Sequence, residues 1–242
     1  MRYFVDFAYN GSAFHGSQRQ PNGVTVQEVM EESFATILRQ PVALTFAGRT
    51  DAGVHAEHMF AHFDIEELSV TGDGLQERLN SLLPPTIAVH RIFPVPDDLH
   101  ARFSALSRTY EYRITTDKDP FLQDLVTRVA PGLDFDTMNK AAACLLGTQD
   151  FASFCKVHTD VKTTICTVTH AEWSNNIFTI TADRFLRNMV RAVVGTLFEV
   201  GRGRMTIDDF RAVIANKNRC SAGQSVPAAG LYLTKIEYPS FE

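Results

Sequence analysis

The sequence predicts an α+β fold built from two similar halves, and three observations predict it. Over the first hundred residues the hydrophobic pattern runs strand, helix, strand, strand, helix, strand. A second set of strands and helices follows a proline-containing stretch at 94–105. The 242-residue chain is 45% hydrophobic and 21% charged. That is ordinary globular composition, in a chain long enough to fold without disulfide or metal staples.

Each element has its own local reason. Residues 2–9 are aromatic and aliphatic and stop at the turn signal Asn10-Gly11, as a strand does. From Thr25, the side chains of Val26, Val29, Met30, Phe34, Ile37 and Leu38 recur at helical spacing. Thr25 with Glu28 makes a capping-box start, and Pro41 supplies a stop. Residues 42–47 and 58–65 read as strands, the second with Phe60 and Phe63 on opposite faces. Leu75, Leu79, Leu82 and Leu83 predict a short helix ended by Pro84-Pro85, and 86–93 a further strand. This order is the split pattern of a ferredoxin-like unit.

Pro94, Pro96 and Asp97-Asp98 suggest a boundary that divides the chain into halves at 1–105 and 106–242. In the second half, 109–115 reads as a strand and 135–146 as a helix after Asp134. Residues 165–173 and 177–182 read as strands around the turn Ser174-Asn175-Asn176. Helices are expected at 185–200 and 207–216, and a final strand at 231–238. The two sheets are expected to join into one mixed, largely antiparallel platform with flanking helices. The stretch 156–164, with Lys156, His158 and Lys162, reads as an exposed loop.

Composition also narrows function. No run of about 18 apolar residues occurs, so no membrane span is expected, and the N-terminus lacks a signal-type apolar block. Cys144, Cys155, Cys166 and Cys220 form no C-x-x-C pair. Reduced thiols in a cytoplasmic protein are therefore expected. The net charge of −5 argues against indiscriminate coating of nucleic acid, because phosphate attraction dominates such binding. Any nucleic-acid function needs its arginines gathered in one place. The stretch 183–204 meets that need, with five arginines against Asp183 and Glu199. On the predicted helix from 185, Leu186, Met189, Val190, Val193, Leu197 and Val200 form an apolar stripe. Arg184, Arg187 and Arg191 are expected to fall together beside it.

The segment with the densest chemical signal is Gly48-Arg49-Thr50-Asp51-Ala52-Gly53-Val54-His55. It follows an apolar strand and is bounded by glycines, a setting that holds a side chain rigidly at a surface. Asp51 there is either a nucleophile or base, or simply a turn residue capping backbone amides. A metal centre of Asp51, His55, His58 and His62 is not expected. On a strand, His58 and His62 stand roughly 13 Å apart at ~3.3 Å per residue, too far for one ion with bonds of about 2 Å.

The same eight residues resemble the catalytic motif of the tRNA pseudouridine synthase A family. Phe14-His15-Gly16-Ser17-Gln18-Arg19-Gln20 resembles the family's early motif. Residues 95–105 with Arg108-Thr109-Tyr110-Glu111-Tyr112 resemble its central motif, residues 185–191 its third, and residues 227–233 its closing strand. The segments occur in the family's order and span nearly the whole chain.

The resemblance implies two ferredoxin-like, RRM-like halves and an enzyme that isomerises uridine to pseudouridine in the tRNA anticodon stem-loop. It implies a homodimer, with no metal and no organic cofactor. It assigns Asp51 as catalytic carboxylate, Tyr110 as the ring stacked on the extruded base, and Arg191 as the cation paired with Asp51. A sheltered carboxylate stays ionised only if a cation opposes the cost of desolvation. Arg49 is expected to fill the space the base leaves. Arg19, Gln20, His55, Arg108, Arg184 and Arg187 are expected at the RNA. Two positions depart from the family pattern: Ser17 stands where Trp is common, and Cys166 where Arg is frequent. Two competing readings are a non-catalytic tRNA-binding or folding protein, and a metal-dependent hydrolase using Asp51 and the histidines.

Overall fold

The computed structural model describes residues 1–68, 70–156 and 162–240. Among them are ten strands and five α-helices: β1 (Arg2–Tyr9), α1 (Val26–Leu38), β2 (Thr45–Phe46), β3 (His55–Asp64), α2 (Gly72–Leu82), β4 (Ile87–Val95), β5 (Ser107–Thr115), β6 (Thr127–Arg128), α3 (Phe135–Ala142), β7 (Gly147–Asp150), β8 (Ile165–Ser174), β9 (Ile177–Ala182), α4 (Met189–Gly201), α5 (Ile207–Asn216) and β10 (Leu231–Glu237). The fold is α+β, as the sequence predicts. No helix among the described residues is long and apolar enough to cross a membrane.

The chain forms two compact units. The first holds Met1–Leu106 and the residues from Leu233 onward, and the second Ser107–Tyr232. A division at 105/106 assigns the whole closing strand to the second half, whereas most of β10 packs with the first unit.

In the first unit β1 lies between β3 and β4 and is antiparallel to both, with β10 beyond β3. One face of β1 carries Val5 and Phe7, which are fully buried. Beside them lie Phe34 of α1 against Phe63 and Phe46 against Phe7, both ring pairs edge-on at 5.1 and 5.2 Å. The side chain of Thr25 caps α1 by accepting from the Glu28 amide, as its sequence predicts, but the helix stops at Arg39 in the left-handed region, before Pro41. The strand expected at 42–47 shrinks to Thr45–Phe46. The Leu44 amide there bonds instead to the Glu31 carboxylate of α1.

In the second unit β5, β9, β8 and β7 follow one another antiparallel, and β6 pairs parallel with β5. Helix α4 is buried on almost every face, which marks it as a central core helix. Gly195 allows one neighbour to come close: a Cβ there would stand 1.8 Å from the Gln224 carbonyl oxygen.

The helix expected from 185 begins only at Met189. Asn188 is left-handed, at φ 66°, a conformation that ends helical winding and that Asn tolerates better than most residues. Its amide is held there by a 2.6 Å bond to Ser225 Oγ. Arg184 and Arg187 therefore precede the helix, and the expected stripe of three arginines on one helix face does not form. Residues 157–161 of the expected exposed loop, His158 included, lie outside the described residues.

Candidate active site

The loop between β2 and β3 carries Asp51, and buried hydrogen bonds fix both of its ends. Thr50 is 8% exposed. Its hydroxyl shares a 2.7 Å bond with the Tyr9 hydroxyl at the end of β1. Its amide donates to Ser17 Oγ at 2.9 Å, and its carbonyl accepts the Ser17 amide at 3.2 Å. The Ser17 carbonyl accepts from the Gln27 amide in the first turn of α1, so the loop, the early motif and the helix start form one hydrogen-bonded unit. Gly16 permits this approach: it sits at φ +99°, and a Cβ there would lie 2.9 Å from the Thr50 carbonyl oxygen.

Beyond Thr50 the chain turns sharply. The Asp51 carbonyl accepts the Val54 amide at 3.2 Å. His55 closes the turn; it is 2% exposed, and its Nδ1 accepts the Gly11 amide at 3.1 Å. Expected at the RNA, His55 is instead a buried fastener of the loop. Asp51 is left half-buried and Arg49 exposed, with Arg49 Nε donating to Gln18 Oε1.

The other early-motif residues are also placed by local bonds. Arg19 forms ion pairs with Glu28 and Glu31 of α1 at 3.3 and 3.2 Å. Gln20 Nε2 donates to the His15 carbonyl. Ser17, where the family pattern has Trp, is no gap: its side chain is fully buried, and its hydroxyl holds Thr50. Sequence reasoning assigned Ser17 no role, and Tyr9 none beyond its strand. Their partners are remote in the chain and leave no periodic signal.

In the second unit, Tyr110 and Tyr112 share one face of β5, opposite Ile180 and Phe178 of β9. Tyr110 is half-buried, its ring edge-on to Phe185 at 5.1 Å. Tyr112 is fully buried and donates its one proton to the Pro227 carbonyl at 3.0 Å, so Thr127 is the donor in their 2.6 Å contact. Burial pushes the Tyr112 phenol up to about 12, while the positive charge of Arg191 pulls the other way. Arg191 is therefore within electrostatic reach of the tyrosine face.

Arg191 is clasped twice to one residue. Its Nε donates to the Val226 carbonyl at 2.7 Å, and its own carbonyl accepts the Val226 amide at 3.1 Å. These bonds fix a half-buried guanidinium on the first turns of α4. Arg108 donates to the Asp183 carbonyl at 2.8 Å, and Arg187 is exposed. Arg202 and Arg204, counted above toward local positive charge, both pair with Glu199, at 3.0 and 3.6 Å.

The histidines near Asp51 go three separate ways. His55 serves Gly11, His62 Nδ1 accepts the Ala101 amide at 3.2 Å, and His58 Nδ1 meets Asp6 at 3.1 Å. Cys166 is fully buried, and burial pushes its thiol up to about 12, so it is no nucleophile.

A family model described as tRNA pseudouridine synthase matches residues 7–104 and 141–239. The chain belongs to the tRNA pseudouridine synthase A family. It is 56% identical over 242 residues to the tRNA pseudouridine synthase A of Parabacteroides distasonis, covering 98% of this chain and 96% of that relative. The counterpart in Bacteroides fragilis is 52% identical, with 98% and 96% covered. The one in Staphylococcus aureus strain MRSA252 is 37% identical, with 98% and 91% covered. Membership in this isomerase family, expected from the Asp51 loop and its companion motifs, holds over almost the full chain.

Proposed function

We propose that the chain isomerises uridine to pseudouridine in the anticodon stem-loop of tRNA, with Asp51 as the catalytic carboxylate. The observation that carries this reading is the fastening of the Asp51 loop. Buried bonds from Tyr9, Ser17 and Gly11 hold Thr50 and His55 on either side of Asp51, while Asp51 itself stays half-buried. Positioning of this kind lets one side chain act on a bound substrate without reorganising.

The reaction breaks the bond between ribose C1′ and base N1, turns the base, and joins C1′ to C5. C5 loses a proton and N1 gains one. Substrate and product are isomers, so no oxidant, reductant or co-substrate enters. Asp51 adds to the base, attacks C1′, or removes a proton from the sugar; each role needs the ionised carboxylate. Arg191 supplies the cation that keeps it ionised. Tyr110 stacks on the extruded base, whose removal from the helix costs a few kcal/mol. Arg49, exposed beside Asp51, fills the vacated space.

Arg187 and Arg184 take the RNA backbone, with Arg108, Arg19 and Gln20 at the margins of the surface. His55, buried as it is, serves the loop. The family resemblance carries the rest: a homodimer in the cytoplasm that needs no cofactor. Among the described residues, Cys144, Cys155, Cys166 and Cys220 form no disulfide.

The test is to incubate the protein with unmodified tRNA and no added metal, then map pseudouridine by carbodiimide labelling. New pseudouridines on the 3′ side of the anticodon arm are expected. Pseudouridine confined to another arm would overturn the site assignment, and none at all would overturn the activity.

A further inference from the structure

Three donor side chains outside the Asp51 loop meet on one face of the first unit's sheet. Asp6 of β1, His58 of β3 and His90 of β4 bring one ligand atom each within 4.8 Å of one another. Asp6 is buried, at 3% exposure, while His58 and His90 are exposed. His58 reaches this face by simple alternation from Phe60, which pairs with Asp6. His90 reaches it through a break in register. Asp6 pairs with Arg91 and Phe7 with Val89, so His90 is an extra residue without a place in the ladder. A β-bulge of this kind re-aims a side chain. A second irregularity sits at the same level of β3, where Glu57 and His58 together stand opposite Ala8.

The surrounding bonds suit a metal ion. His90 Nε2 lies 3.1 Å from the Glu57 carbonyl oxygen. A carbonyl only accepts, so Nε2 carries the proton and Nδ1 keeps its lone pair. A metal-binding histidine shows this same tautomer control. Arg91 Nε stands 3.4 Å from Asp6 Oδ2, an outer contact of the sort that orients a ligating carboxylate, and Arg91 is itself stacked over Phe93 at 4.7 Å. His58 Nδ1 and Asp6 Oδ1 are already 3.1 Å apart. Ligands around a tetrahedral ion with bonds of 2.0–2.2 Å stand roughly 3.3–3.6 Å apart. Rotation of the exposed imidazoles closes the remaining gap.

We propose that Asp6, His58 and His90 bind a divalent transition ion of the zinc class, which two imidazoles and one carboxylate favour over calcium or magnesium. The ion takes the place of the proton between His58 Nδ1 and Asp6, and the imidazole keeps its one proton on Nε2. It ties β3, β1 and β4 together and has no part in the isomerisation.

The test titrates the whole protein with Zn2+ against a chromophoric chelator, and with Co2+ followed by its visible absorption. One ion per chain is expected, with a Co2+ spectrum of low-coordinate geometry and a Zn2+-dependent rise in Tm. His90→Ala and His58→Ala should each weaken Zn2+ binding at least roughly tenfold and remove the Tm rise, leaving pseudouridine formation unchanged. His170→Ala, an exposed histidine of the second unit, should behave as wild type. Absence of stoichiometric binding, or equal binding by the His58→Ala/His90→Ala double variant and wild type, would overturn the proposal. Asp6 is buried, so Asp6→Asn is read only where its circular dichroism matches wild type.

Discussion

Ser17 and Thr50 hold each other twice, the Thr50 amide on Ser17 Oγ at 2.9 Å and the Ser17 amide on the Thr50 carbonyl at 3.2 Å. The pair lies next to Asp51 and is buried. A serine thus does structural work where the family pattern places a tryptophan. Ser17→Ala leaves the buried Thr50 amide without its acceptor, which costs about 1–3 kcal/mol. A lower Tm and a slower turnover are expected together. Wild-type values for both would mean that the clasp does not position the loop.

Asp51→Asn keeps the size of the side chain and leaves in place the backbone bond from the Val54 amide to the residue 51 carbonyl. Pseudouridine formation should be lost, while tRNA affinity by filter binding stays within a few fold. Retained turnover would remove Asp51 from the chemistry.

Arg191 and Arg187 are expected to separate in kinetics. Arg191 is fixed by Val226 and half-buried, whereas Arg187 is exposed ahead of α4. Arg191→Ala should lower kcat by orders of magnitude. Arg187→Ala should mainly weaken binding and reduce its dependence on salt by about one phosphate contact. Equal, modest losses in both variants would make both residues generic phosphate contacts.

His62 ties stability to pH. Burial, with help from the charges of Arg2 and His100, lowers it from 6.5 to about 4. Between these values the unfolded chain binds a proton that the folded chain does not. The contribution of neutral His62 is therefore complete above about pH 6.5 and is lost as pH falls toward 4, by on the order of 3 kcal/mol in all. Urea midpoints at pH 7 and pH 5 should diverge in wild type and converge in His62→Gln. An unchanged pH dependence in the variant would assign the acid sensitivity elsewhere.

The sequence by itself determined the α+β class, the bounds of β9 and α5, the Thr25 cap of α1, and the motifs that mark the family. Those signals are local, set by neighbours within about one helical turn or by strict alternation. The tertiary structure alone decided the rest. Thr50 finds Ser17 across 33 residues, and Asn188 finds Ser225 across 37, ending the helix that periodicity extends back to Phe185. His58 finds Asp6 across 52 residues, and a bulge in β4 turns His90 toward them. A hydrogen bond between remote residues leaves no periodic trace in either stretch of chain, so such pairings become visible only when the strands are in register.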